Sequence, residues 1–297
     1  IGAEMIPQLL ISGLVVSACY GLFALGFTLI FGVLRVINLL YGFYFWVGAM
    51  ASLLAVKLLG LPFYLAFPLG ALVAGVIAVA LDGAILTPLR RARADELSSL
   101  MVTLGAVLAL YAAASLTFGA EVRRLPFAVL PEWAWQVGAL RITLSQILIV
   151  GSTLLLGAMV WLGLRYSQLG LALRAMTENP TVTQLMGINI GWAAAVASFL
   201  SGLLGGAAGI LIGLNYNAIH PFMGENMMLK GFAAVIMGGL GNVQGAILAG
   251  LVLGYGEVFA ATYISSGYKD AVAFCGLIAT LLLRPNGLFG SPPAHRS

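Results

Sequence analysis

Long apolar runs, broken by short polar stretches, dominate the chain from end to end. Nine runs stand out, at about 6–30, 36–59, 63–86, 98–118, 143–164, 190–214, 227–240, 245–261 and 267–283. A bilayer-crossing helix needs roughly 20 apolar residues, and eight of the runs reach or approach that length. The run 227–240 falls short at about 1.5 Å of rise per residue, so it reads as a broken or re-entrant helix. The pattern predicts an all-α fold: a polytopic transmembrane bundle of eight or nine spans, some broken or re-entrant, in a single domain over 1–297.

One polar interruption differs from the rest. Residues 173–189, LRAMTENPTVTQLMGIN, form a helix-favouring stretch of seventeen residues between two full-length apolar runs. Leu173, Met176, Val182, Leu185 and Met186 recur at near-helical spacing, which suits a short helix at the membrane surface. The Asn179–Pro180 step caps it and Gly187 stops it. Such a connection is built to touch something outside the membrane. Arg90, Arg91 and Arg93 make the densest positive cluster, and the positive-inside rule puts their loop in the cytoplasm. Alternation then makes 119–142 external and 165–189 cytoplasmic, with the tail from Arg284 cytoplasmic if all nine runs cross. The external loop itself carries Arg123, Arg124 and Arg141 beside Glu121 and Glu132. Its Pro126, Pro131, Trp133 and Trp135 suggest a segment at headgroup level.

Two stretches depart from uniform apolar helix. One is RVINLLYGFYFWVG at 35–48, where Asn38, Tyr41 and Tyr44 interrupt the start of a span. The other is HPFMGENMMLKGFAAVIMGGLGNVQG at 220–245, with His220, Pro221, Glu225, Asn226 and Lys230. They occupy similar places in the two halves, and interrupted segments in paired positions mark transport pathways. Irregular backbone at membrane depth survives only where protein or water satisfies it. Asn38, Tyr41, Tyr44, His220, Glu225, Asn226 and Lys230 are therefore the candidate pathway residues, with parts of 38–44 and 226–241 expected around one shared cavity. Taken singly, His220 also reads as a solvated loop histidine, and the tyrosines as membrane-belt residues. Glu257 lies deep in an apolar run, where an unpaired charge costs about 2.5–3.5 kcal/mol or more, so it faces protein or water. It reads equally as an interhelical hydrogen-bonding group and as a pathway or proton-linked site. Asp82 reads as a helix-end carboxylate near Arg90 and Arg91. Glycines four apart (Gly205, Gly209 and Gly213; Gly202 and Gly206; Gly250 and Gly254) make grooves for close helix packing, either within the chain or at a pathway or subunit seam.

Composition narrows the class. The chain is 61% hydrophobic and 8% charged, against about 25% charged in soluble domains. The net charge of +4 is scattered and does not suggest nucleic acid. Cys19 and Cys275 make neither a metal pattern nor a disulfide framework. No basic n-region with a cleavage site precedes the first run, which is expected to be the first span. The three lysines, Lys57, Lys230 and Lys269, are followed by Leu58, Gly231 and Asp270, so none completes a phosphate loop. No nucleophile elbow, HExxH or CxxC occurs. The chain has no visible means to hydrolyse ATP or a substrate, and the expectation is a protein that is not an enzyme and carries no cofactor or metal.

The stretches GLVVSACYGLFALGFTLIFGVLRVIN, LRAMTENPTVTQLMGIN, NAIHPFMGENMMLKGFAAVIMGGLGNVQGAILAGLVLG and YKDAVAFCGLIATLLLRPNGLFG resemble the membrane-spanning permeases of branched-chain amino acid (LIV-type) ABC importers, over essentially the whole length. The resemblance is nearer to the shorter of the two paired permeases. It implies a location in the bacterial inner membrane and a second permease, homologous or identical. It also implies two ATP-binding subunits that bind the ATP, and a periplasmic substrate-binding protein. On that resemblance Arg174, Glu178, Asn179, Pro180 and Gly187 belong to the segment that docks on the ATPase. After Asn38 the family usually reads Phe-Ala-His-Gly-Glu, where this chain has Leu39, Leu40, Tyr41, Gly42 and Phe43. That departure leaves branched-chain amino acids, urea, amides and aromatic acids all open as cargo. The alternative is a self-sufficient secondary transporter that couples ions through Glu257 or Asp82.

Overall fold

The computed structural model describes residues 5–34, 38–92, 94–126, 133–137, 140–284 and 287–289. Arg93, Pro131 and Glu132, named above, lie outside that set. The order is α1 (Met5–Leu34), α2 (Tyr41–Leu59), α3 (Phe63–Leu81), α4 (Thr87–Arg91), α5 (Glu96–Phe118), β1 (Ala134–Val137), β2 (Leu140–Thr143), α6 (Leu144–Tyr166), α7 (Gln168–Glu178), α8 (Pro180–Leu185), α9 (Ile190–Tyr216), α10 (Met223–Gly238), α11 (Val243–Tyr263) and α12 (Lys269–Leu283). Among the described residues, eight helices are long and apolar enough to cross a membrane. The helix α10, with 16 residues, is not one of them. The expected bundle is therefore present, and the short run 227–240 is the broken passage.

Helix α1 is apolar on all sides, as a helix enclosed by others must be. It packs against α9, α10 and α11. Small residues bring the backbones together. Gly206 meets Gly48 of α2 and Ala74 of α3, Gly209 lies against the Phe45 carbonyl, and Gly250 and Gly254 of α11 lie against Gly21 and Ser17 of α1. The glycine series named above thus serve packing within the chain. The peripheral spans are α5, α6 and α12.

Asp82 begins a π-helical turn (Asp82–Leu86) between α3 and α4. Its carboxylate is buried and sits 2.7 Å from the Arg90 guanidinium. This is the helix-end ion pair expected for it.

Contacts sort the connections into two ends. At one end, Gly32 of α1 lies beside Thr177 and Gly241, and Asn242 donates to the Phe289 carbonyl at 2.7 Å. That end holds α7, α8 and the turn before α11. At the other end, Gln8 pairs both ways with the Arg141 backbone at 3.1 and 3.2 Å. The loop after α5 pairs there with the loop after α9, Arg123 and Ile219 exchanging backbone bonds of 2.8 Å. Strands β1 and β2 form an antiparallel hairpin at this end, with Trp133 and Trp135 exposed beside it. It is a small departure from an all-helical expectation. Thr143 closes it with a capping box to Gln146 that starts α6.

Candidate translocation site and coupling face

The break between α9 and α10 builds the site. Asn217 ends α9 in the left-handed region, at φ 47°, which an Asn tolerates better than most residues. Its side chain accepts from the Leu125 amide at 2.8 Å. The chain then turns inward through His220 and Pro221, and α10 starts inside the protein, with Gly224 against the Gly42 backbone. The Arg123–Ile219 pairing supplies backbone hydrogen bonds that this irregular segment would otherwise lack.

The inward turn leaves a cavity of about 290 Å³ between α1, α9, α10, α11 and α12. Tyr20, Tyr216, His220, Asn226, Lys230, Glu257 and Lys269 are its polar lining, with Phe45, Ile212, Met223 and Met227 among its apolar residues. Asn226 and Lys230 are four apart and share one face of α10. The Lys230 ammonium lies 3.0 Å from the Glu257 carboxylate and 3.0 Å from that of Asp270. It also donates to the Tyr20 hydroxyl at 3.2 Å, and that hydroxyl donates to Glu257. One cation therefore ties α10 to α1, α11 and α12. Lys269 has no carboxylate partner among the described residues. Its ammonium stands 6.0 Å from the centre of the Tyr216 ring. A second hollow of about 240 Å³ lies on the far side, again bordered by Tyr216, Glu257 and Lys269. Partial burial holds the His220 imidazole below the ordinary histidine range, so it is neutral at pH 7.

The sequence-derived pathway residues divide. His220, Asn226 and Lys230 line the cavity. Glu225 is exposed, and at the first turn of α10 it complements the helix dipole. Asn38, Tyr41 and Tyr44 do not line the cavity. All three are fully buried in the core. The Asn38 carbonyl oxygen of the side chain accepts from the Leu40 amide at 3.0 Å, which sets the start of α2. Tyr41 donates to the Phe23 carbonyl at 2.9 Å, with its ring 4.5 Å from that of Phe23. The two irregular stretches do touch, through Gly42 and Gly224, but Phe45 is what α2 contributes to the cavity. Glu257 makes the interhelical bond expected of it and also borders the cavity. Tyr20, Tyr216, Lys269 and Asp270 escaped the sequence reading. The adjacent charges Lys269 and Asp270 at the mouth of a span were the available signal.

At the other end, residues 173–189 form two helices rather than one. Proline has no amide hydrogen and disfavours helix in the residue before it, so α7 stops at Glu178 and Asn179 turns extended at ψ 101°. The Asn179 side chain then caps α8, accepting from Thr181 and Val182 at 3.1 and 3.2 Å. Leu173 and Met176 of α7 face inward, against Val33, Ala193 and Ala197. The apolar residues therefore do not share one face. Val182, Leu185 and Met186 are exposed, the last two by 82% and 78%. Gly187 ends the unit at φ 86°, a left-handed conformation suited to glycine. Arg174, Glu178 and Asn179 are exposed as well.

The bundle, its broken helix and its internal polar cavity define a multi-pass membrane permease. The profile of the family described as branched-chain amino acid transport system, permease component, matches residues 9–281, and the chain belongs to that family. It is 31% identical to the high-affinity branched-chain amino acid transport system permease protein BraD of Pseudomonas aeruginosa, covering 97% of each chain. It is also 31% identical to the corresponding LivH of Escherichia coli, again over 97% of each. Among solved structures it resembles PsaBC from Streptococcus pneumoniae in complex with Fab, with a TM-score of 0.52 and 12% identity over 94% of this chain and 93% of that one. That likeness bears on the fold. The protein is a multi-pass permease of the inner membrane, of the ABC transporter class.

Proposed function

We propose that this chain is the membrane-spanning subunit of an ATP-driven importer that carries branched-chain amino acids or a related small polar solute. The observation that carries the reading is the exposed α7–α8 unit. Leu185 and Met186 stand out from a polar, capped helix pair at the end of the bundle opposite the cavity. An apolar surface on a polar turn suits a protein partner, here one of two ATP-binding subunits, which would bind and hydrolyse ATP. We take the α7–α8 end as the cytoplasmic one: Arg90 and Arg91, from the densest positive cluster of the sequence, lie there with Arg165, Arg174 and Arg284, against Arg123, Arg124 and Arg141 at the other end. The cavity then opens outward, toward a soluble substrate-binding protein.

Two lysines and one carboxylate, Glu257, border the cavity beside neutral polar and apolar side chains. A zwitterion or a neutral amide suits such a wall, and weak contacts let it leave again. A second copy of the chain, or a homologue, would complete the translocation path. The names of the relatives favour branched-chain amino acids as cargo. The secondary-transporter alternative has less support. Asp82 is occupied by Arg90 and is not among the cavity-lining residues, and Glu257 is occupied by Lys230.

The test is purification of the chain from its own membranes in mild detergent. An ATP-hydrolysing subunit should co-elute, and the hydrolysis should rise when a solute-loaded binding protein is added. Uptake by the chain alone in vesicles, driven by a proton or sodium gradient without ATP, would overturn the importer reading.

A further inference from the structure

A larger hollow, about 680 Å³, lies at the α7–α8 end, between α6, α7 and the turn before α11. Trp161, Leu164 and Arg165 of α6 face Arg174 of α7 and residues 240–244 across it. Helix α6 is the least enclosed of the eight spans, with 6% of its apolar window buried by the rest of the chain. Most of its surface is therefore left to lipid or to another subunit. The Arg165 guanidinium lies 5.1 Å from the centre of the Trp161 ring and 5.5 Å from that of Tyr166. Tryptophan, tyrosine and arginine grouped at the end of a span mark headgroup depth.

The charges of this hollow are unanswered. Among the described residues, neither Arg165 nor Arg174 forms an ion pair. Arg174 donates to two carbonyl oxygens, those of Gly170 at 3.3 Å and Arg165 at 3.4 Å, which hold its position without neutralising it. Val243 and Gln244, the first residues of α11, border the hollow too, and a helix start leaves its first amides without intrahelical acceptors. Two fixed guanidinium groups beside apolar Leu164, Leu240 and Val243 ask for a ligand that is anionic at one end and greasy at the other.

We propose that this hollow holds the headgroup of an anionic phospholipid of the leaflet at the α7–α8 end. The phosphate sits between Arg165 and Arg174, and the acyl chains run along α6 past Trp161. The lipid braces α6 and α7 against the turn before α11, next to the exposed α8 surface. The shared chemistry is a phosphate group, so a free phosphate is the rival source, and an acidic side chain of a partner subunit is the rival occupant. The proposal concerns a resident lipid and stands apart from the choice of cargo.

The test uses the delipidated full-length chain, titrated with phosphatidylglycerol or phosphatidylcholine of matched acyl chains and read by native mass spectrometry. Phosphatidylglycerol should be retained in clear preference. Each arginine near an anionic lipid strengthens attraction by roughly fivefold, so Arg165→Gln should weaken retention about fivefold and R165Q/R174Q roughly 25-fold. Arg165→Lys keeps the charge, folds if the glutamine variants do not, and should retain most of the preference. Equal retention of the two lipids, or an unchanged double variant, would overturn the proposal. So would displacement of phosphatidylglycerol by excess inorganic phosphate, which would mean a soluble phosphate site. Loss of the bound lipid on adding an ATP-binding partner would assign the arginines to that partner instead.

Discussion

Lys230 and Glu257 face each other at 3.0 Å across α10 and α11, inside a bundle where most other ionisable groups lie at the ends. Tyr20 and Asp270 complete the group. The broken passage is thereby tied to three neighbouring helices at one point.

Removing one partner of a largely buried pair leaves the other charge uncompensated, at a cost of about 3–5 kcal/mol. Lys230→Met should therefore lower the thermal midpoint in detergent sharply. Glu257→Gln should cost less, since an amide oxygen still accepts from Lys230 and Tyr20. The double variant K230M/E257M should recover much of the loss, giving a coupling energy well above 1 kcal/mol in a double-mutant cycle. Additive losses would show that the two side chains act independently.

His220 predicts a pH dependence. Burial holds its folded-state pKa below the ordinary histidine value of about 6.5. The unfolded chain therefore binds more protons near and below that value, and stability rises with pH. The contribution is complete above pH 6.5 and is lost as pH falls below it. Thermal midpoints of wild type and His220→Gln should diverge between pH 7.5 and 5.5, with the wild type losing more. Parallel curves would remove His220 from the account.

The glycines predict a sharp positional contrast. A side chain at Gly209 would run into the Phe45 carbonyl, and one at Gly254 into the Ser17 backbone. Gly157 of α6 has open space around it. Gly209→Ala and Gly254→Ala should abolish the monodisperse peak in size-exclusion chromatography. Gly157→Ala should be neutral, or stabilising by up to about 1 kcal/mol from helix propensity.

On the docking face proposed above, Leu185→Ser and Met186→Ser remove apolar surface that the fold does not bury. Both should leave the folded yield unchanged while reducing solute-stimulated ATP hydrolysis of the assembled complex. Gly187→Val adds strain of about 1–2 kcal/mol in the left-handed region and should do the same by displacing α8. Glu178→Ala should act in the same direction. Normal stimulation in all four would move the docking surface elsewhere.

Much of this architecture was legible in the linear pattern, because a membrane imposes one rule on every span. Each needs a long apolar run, and the runs named the eight spans and singled out 227–240 as too short. The cap at Asn179–Pro180 and the stop at Gly187 were legible too, since both act through the local backbone alone, but the linear pattern showed one helix where the proline makes two. Periodicity misled within 173–189. Leu173 and Met176 share their spacing with Leu185 and Met186, and only the proline break turns the two pairs to different surroundings.

Burial and partnership were decided by the tertiary structure. Tyr41 and Tyr44 look alike on paper to Tyr20 and Tyr216, yet the first two are core and the others line the cavity. In a uniformly apolar sequence no polar face marks the inside of a helix, so which tyrosine meets water depends on what packs against it. Glu257 is the same case. Its apolar run showed that it needed a partner. That the partner is Lys230, 27 positions away, follows from the inward turn at Asn217 and His220, which sets α10 beside α11 at that depth.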